Sequence, residues 1–174
     1  MAISTLEIIK NILDREMELP QGRCFAYNNE NDLPKDDNLF ICLFFADRTP
    51  YSNNTKFEEV GTDYIEHQSI SMNETIEVAI VSKNKDARER CHEILLAFSS
   101  VYSQQMQEKH HIHISTISPI YDNSFLEATA RLNRFDVRVS VIRTYTKTKT
   151  INYYDKFSGE LWVENGNNLI KKTV

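Results

Sequence analysis

The stretch Lys109-His110-His111-Ile112-His113-Ile114-Ser115 places three of the chain's five histidines within four positions. Neutral imidazole is a common metal ligand, and histidine is the side chain whose ordinary titration lies nearest neutral pH. In an extended strand, His111 and His113 point to one face while Ile112 and Ile114 point to the other. Two imidazoles on one face have the geometry of a ligand pair, but a stable site needs a third ligand and a supporting shell. His67, His92 and Cys91 stand at no motif spacing from the pair. A helix end followed by a strand with a wet, imidazole-bearing face accounts for the same residues, since cations suit the negative pole of a helix.

Other arrangements that do chemistry are thinly represented. Two-metal hydrolysis needs clustered carboxylates, usually with a lysine nearby. Glu74 and Glu77 are an odd number of positions apart and diverge on a strand, as do the adjacent Glu58 and Glu59. The sequence has no Gly-x-Ser-x-Gly elbow, HExxH, GxGxxG or P-loop pattern. Four glycines leave little for a phosphate-cradling loop. Three widely spaced cysteines, Cys24, Cys42 and Cys91, read as free thiols in a reducing compartment. Cys91 falls on the apolar stripe of a helix, where a thiol fills space. The expectation is a protein that is no enzyme and takes no cofactor or catalytic metal.

Charge is more informative. Residues 1–82 hold 15 acidic against 6 basic side chains, and residues 83–174 hold 10 against 14. The net −5 therefore divides into an acidic half and a basic half. Within 131–149 the count is six basic to one acidic. Such a division suits head-to-tail association of identical copies or contact with a polyanion. The acidic total argues against a dedicated DNA-binding protein.

These side chains are carried by an α+β pattern. Ser4 and Glu7 have capping-box spacing, and Leu6, Ile9, Ile12, Leu13 and Met17 recur at helical spacing up to Pro20. LFICLFF (39–45) has the length and unbroken apolar character of a strand covered on both faces. Residues 46–63 are polar, without period, and read as a long loop. Residues 64–82 read as strand, with a turn or bulge at 71–73. Asn84 or Asp86 can then cap one long helix, Asp86 and Glu89 standing at capping-box spacing, with Ala87, Cys91, Ile94, Leu95, Phe98, Val101 and Tyr102 on its buried side, ending near Gln107. Residues 114–120 form a strand. Phe135, Val137, Val139 and Val141 alternate with polar neighbours. The expected fold is a mostly antiparallel sheet with the N-terminal helix and one long central helix on one face. It forms a single domain over 1–174, with an extended β-ribbon at 143–154 and a polar tail at 165–174. No apolar run reaches the roughly 18 residues of a membrane span, and the N-terminus lacks a signal-peptide layout.

Four segments in order resemble the neck and tail terminator proteins of tailed bacteriophages. They are LFICLFFADR, SMNETIEVAIVSKNKDARERC leading into a helix, RFDVRVSV and YYDKF. The resemblance covers most of the chain, to about Phe157, and none of its segments is catalytic. It implies a virion protein, assembled in the host cytoplasm, that forms a ring (a hexamer in the resembled family). The ring would end the tail or join it to the head connector, with genomic DNA passing through the lumen without sequence specificity. Its partners would be itself, portal or connector proteins, and tail-tube or other neck proteins, with no membrane. The resemblance places neighbour contacts in the long loops and the TYTKTKT ribbon without transferring them residue by residue. From the polar stretches and the basic ribbon of this sequence the candidate subunit or partner contacts are Asp47, Arg48, Tyr51, Arg134, Arg138, Arg143, Tyr145, Lys147, Lys149 and Tyr153. A subunit covering His111 and His113 would make that surface pH-sensitive. Two alternatives stand beside this reading: a metal-dependent enzyme using His111 and His113, and a nucleic-acid-binding module using the basic ribbon 131–149.

Overall fold

The computed structural model describes residues 3–26, 34–60, 63–127, 130–151, 160–165 and 168–173. The chain divides into two compact units: Met1–Asn54 with Ser69–Tyr145, and Thr55–Gln68 with Thr146–Val174. The fold is α+β.

In the first unit, α1 (Thr5–Glu16) starts where Ser4 Oγ accepts the Glu7 amide at 3.2 Å. Leu6, Ile8, Ile9, Ile12 and Leu13 are buried along one side of this helix. The sheet runs in the order β1 (Cys24–Ala26), β2 (Phe40–Val60), β3 (Asp63–Ser82), β7 (Ala130–Ile151) and β4 (Ile112–Ile117). Two short strands, β5 (Tyr121–Asp122) and β6 (Phe125–Glu127), also pair with β7. Strand β1 runs parallel to β2 and β4 runs antiparallel to β7, so the sheet is mixed rather than purely antiparallel.

Period-two alternation sorts the side chains. Ile41, Leu43, Ile76, Val78, Ile80, Phe135, Val137, Val139 and Val141 join the helices in the main core. Phe40, Cys42, Ala79 and Val81 form a smaller apolar cluster with Phe25 and Leu132. Both sides of the 40–43 segment are thus buried, as its unbroken apolar run requires.

The single long helix expected after residue 84 is three pieces: α2 (Asp86–Arg90), α3 (Glu93–Ser99) and α4 (Val101–His110). A turn at Cys91–His92 separates the first two. Ser100 ends α3 in an extended conformation, and its hydroxyl accepts the Ser103 amide at 3.0 Å as the N-cap of α4. A serine oxygen that satisfies an otherwise orphaned helix amide competes directly with helix continuation. Ala87, Ile94, Ala97, Phe98 and Met106 still reach the core across the breaks. Asp86 does not cap α2. Asn84 Oδ1 accepts the Asp86 amide at 2.9 Å and Ser82 Oγ accepts the Ala87 amide at 3.0 Å.

The polar stretch expected as a loop from residue 46 is strand β2 as far as Val60, exposed throughout. Strand β3 is continuous through 71–73. In the second unit, β2, β3 and β7 again lie in that order. A separate hairpin pairs β8 (Glu160–Asn165) antiparallel with β9 (Asn168–Thr173). Strand β9 occupies the stretch expected as a polar tail. No helix among the described residues is long and apolar enough to cross a membrane.

Candidate functional site: the β3–β7 ladder and the α4–β4 groove

Strand β7 carries most of the candidate residues, and its phase decides their fate. Arg143 is in step with Val137, Val139 and Val141, so it enters the core and is only 8% exposed. Its Nη1 donates to Thr5 Oγ1 at 3.1 Å. Thr5 Oγ1 in turn donates to Glu74 Oε2 at 2.5 Å. Glu74, in step with Ile76, Val78 and Ile80, is 1% exposed. Its other oxygen accepts the Tyr145 hydroxyl at 2.9 Å and lies 3.4 Å from Arg48 Nε. One buried carboxylate thus gathers α1, β2, β3 and β7, and each of its oxygens accepts a hydroxyl, as a buried polar group requires. Burial, more than the Glu74 contact, pushes the Tyr145 hydroxyl above its usual range. Arg48 also lies over the Phe45 ring, 3.4 Å from its centroid.

The other phase of β7 faces the opposite side of the sheet. Arg134 is held by Asp136 at 2.9 Å and by Glu77 at 3.4 Å, and Arg138 meets the other Glu77 oxygen at 3.3 Å. In the second unit Lys149 Nζ lies 2.7 Å from Glu66, whose carboxyl is held below its usual range chiefly by that hydrogen bond. The acidic and basic halves of the sequence therefore meet inside one chain, because β3 and β7 are hydrogen-bonded neighbours. Glu77 and Glu66 of the acidic half are thus met by Arg134, Arg138 and Lys149 of the basic half. Lys147 is exposed on the same strand. Tyr51 is 59% exposed on β2, and Asp47 accepts the Thr49 hydroxyl at 2.6 Å. Tyr153 lies outside the described residues.

The histidine cluster is a helix end. His110 is the last residue of α4, and His111 is its C-cap in the left-handed region at φ 51°. Strand β4 begins one residue later, so His111 does not share a strand face with His113 as expected. Both are exposed, and both line a groove of about 540 Å³ with Phe98, Gln104, Gln107, Glu108, Ile112 and Ile114. Gln107 Oε1 accepts the Ile114 amide at 2.8 Å and so covers the open edge where β4 starts. Partial burial, with Lys109, Arg143 and His111 nearby, pushes His110 below the usual histidine range. Among the described residues no three metal-ligating side chains converge.

The imidazole that finds a carboxylate is a different one. In the second unit His67 Nε2 lies 3.1 Å from Glu58 and its Nδ1 lies 3.3 Å from Thr148 Oγ1. Carboxylate, imidazole and hydroxyl stand in the order of a nucleophile relay. They sit on three adjacent strands, with Glu58 and Thr148 exposed to water. Backbone amides along a strand alternate between its two edges rather than converging as an oxyanion hole requires. The line is a cross-strand contact. The sequence signal for it is an unbroken β3 register, which the turn or bulge expected at 71–73 interrupts.

The sequence matches no family model and no curated protein.

Proposed function

We propose that the protein is a structural virion component: a subunit of a ring at the neck or tail junction of a tailed bacteriophage. The ring ends the tail or joins it to the head connector, and DNA passes through its lumen without sequence-specific contact. The observation that carries this reading is the exposed strand material. Strands β2, β3 and β7 are 21, 20 and 22 residues long, against about 5–6 in an ordinary domain. Their segments in the second unit include the 55–60 stretch, exposed on both faces, with Phe57 63% and Val60 50% exposed. Strands that bury neither face gain little from folding alone, so their natural use is against another chain. The resembling segments that fall on described residues occupy β2, the β3–α2 passage and the middle of β7.

The test combines light scattering across a concentration range with binding to purified connector and tail-tube assemblies. Cyclic oligomers, alone or on a docked connector, are the expected result. A chain that stays monomeric and binds neither assembly overturns the reading.

A further inference from the structure

We propose that neighbouring copies join edge to edge through the second unit, the 55–60 segment of β2 in one copy pairing with the 146–151 segment of β7 in the next. The proposal rests on the ring reading and names the surface that builds the ring.

The first observation is that both edges are open among the described residues. Strand β1 covers β2 only at Ile41–Leu43. Strands β4, β5 and β6 cover β7 only up to Arg143. The hairpin of β8 and β9 pairs within itself. In the second unit β3 therefore lies between two strands whose outer backbone groups have, among the described residues, no strand beside them, a template for another chain.

The second observation fixes which residues of β7 present those groups. Arg138 and Arg134 hand their carbonyls to the Ser118 and Asn123 amides on the outer side. The contacts Glu77–Arg138, Ser71–Thr144, His67–Thr148 and Glu66–Lys149 keep one antiparallel register between β3 and β7. No residue is inserted in β7, so the period of two persists. Thr144, Thr146, Thr148 and Thr150 then aim their amides and carbonyls outward.

Charge selects the partner edge. The β2 segment carries Lys56, Glu58 and Glu59, and the β7 segment carries Lys147 and Lys149. Pairing β7 with a second β7 sets lysines against lysines, and like charges directly opposite destabilise a strand pair. Glu58 and Lys149 already meet His67 and Glu66 within the chain, so pairing β2 with β7 sets Glu59 against Lys147. That contact is heterologous, and repeated by rotation it closes a ring rather than a two-fold dimer. The contacts Asn54–Ser69 and Glu58–His67, and Glu77–Arg138 and Glu66–Lys149, each run in opposite senses along their strands, so β3 is antiparallel to β2 and to β7, and β2 and β7 run in the same sense. A ring whose axis follows the strands pairs them in parallel.

The experiment uses the full chain and charge exchange at Glu59 and Lys147. E59K alone or K147E alone places like charges at every junction. A swing of this kind weakens each junction roughly five-fold, compounded around a closed ring. The double variant E59K/K147E, or an equimolar mixture of the two single variants, restores opposite charges at every junction and assembly with them. T146P is the second probe. It removes one outward amide without touching the β3 ladder, so it blocks assembly while the far-UV circular dichroism spectrum stays that of wild type. If wild type forms rings and all these variants assemble equally well, the edge proposal is overturned and the ring reading stands. A wild-type chain that forms no ring, alone or on a connector, overturns both.

Discussion

Removing the Glu74 carboxylate should be among the most damaging single substitutions in the first unit. Glu74 is 1% exposed and receives the Thr5 hydroxyl at 2.5 Å and the Tyr145 hydroxyl at 2.9 Å. Each hydrogen bond to a charged group contributes about 1.5–3 kcal/mol when buried. The Tyr145 bond counts for less, because Tyr145 is 37% exposed and water replaces part of it. The Arg48 contact at 3.4 Å adds little, as Arg48 is half exposed. Glu74→Ala also leaves Arg143, only 8% exposed, with its Thr5 partner no longer anchored. With the Thr5 bond lost outright and the Tyr145 bond in part, the cost is about 2–4 kcal/mol. For a chain of this size that lowers the melting temperature by roughly 10 °C. Glu74→Gln keeps the shape and one acceptor, and should cost about 1–2 kcal/mol. Urea denaturation followed by circular dichroism measures both, and a double-mutant cycle with Tyr145→Phe isolates a coupling of about 1 kcal/mol. A Glu74→Ala loss under about 1 kcal/mol, or no coupling to Tyr145, refutes the claim that this carboxylate ties the four elements together.

Three further outcomes follow from local geometry. His111 holds φ at 51° as the C-cap of α4, a conformation that costs an ordinary residue about 1 kcal/mol. His111→Gly should therefore raise stability by about 0.5–1 kcal/mol in the same denaturation assay, where Ser100→Ala, which removes the α4 N-cap, should lower it by about 1 kcal/mol. The Glu66 carboxyl is held below the ordinary value of 4.5 by Lys149, so its contribution is complete above that pH and is lost as the pH falls through the lowered folded value. A carboxyl-detected NMR titration should find Glu66 titrating late on acidification, and Lys149→Ala should move it back up towards 4.5.

The sequence made the core legible and obscured what surrounds it. The α1 stripe and the alternation from Phe135 to Val141 are visible because burial on one side leaves a period. The same alternation, extended two residues, already placed Arg143 inside, and Ile76–Val78–Ile80 extended backwards placed Glu74 there. Composition pulled the other way: an arginine and a glutamate read as surface. The 46–60 strand was illegible for a different reason. Exposed on both faces, it has no period, and Pro50, Asn53 and Asn54 resemble loop residues; only its neighbour β3 specifies it. Ser100 broke the long helix because a cap of 3.0 Å outweighs helical spacing that the core residues satisfy either way. The histidines looked like a strand pair because nothing in their identity announces a left-handed turn at His111, a position where glycine is usual.

The most direct measurement is native mass spectrometry of the full chain with and without a purified head connector, with electron microscopy of the same sample. A closed ring of identical subunits with one cyclic symmetry axis and an open lumen is the expected result. A monomer in both samples, or a two-fold dimer with no ring on the connector, would contradict it.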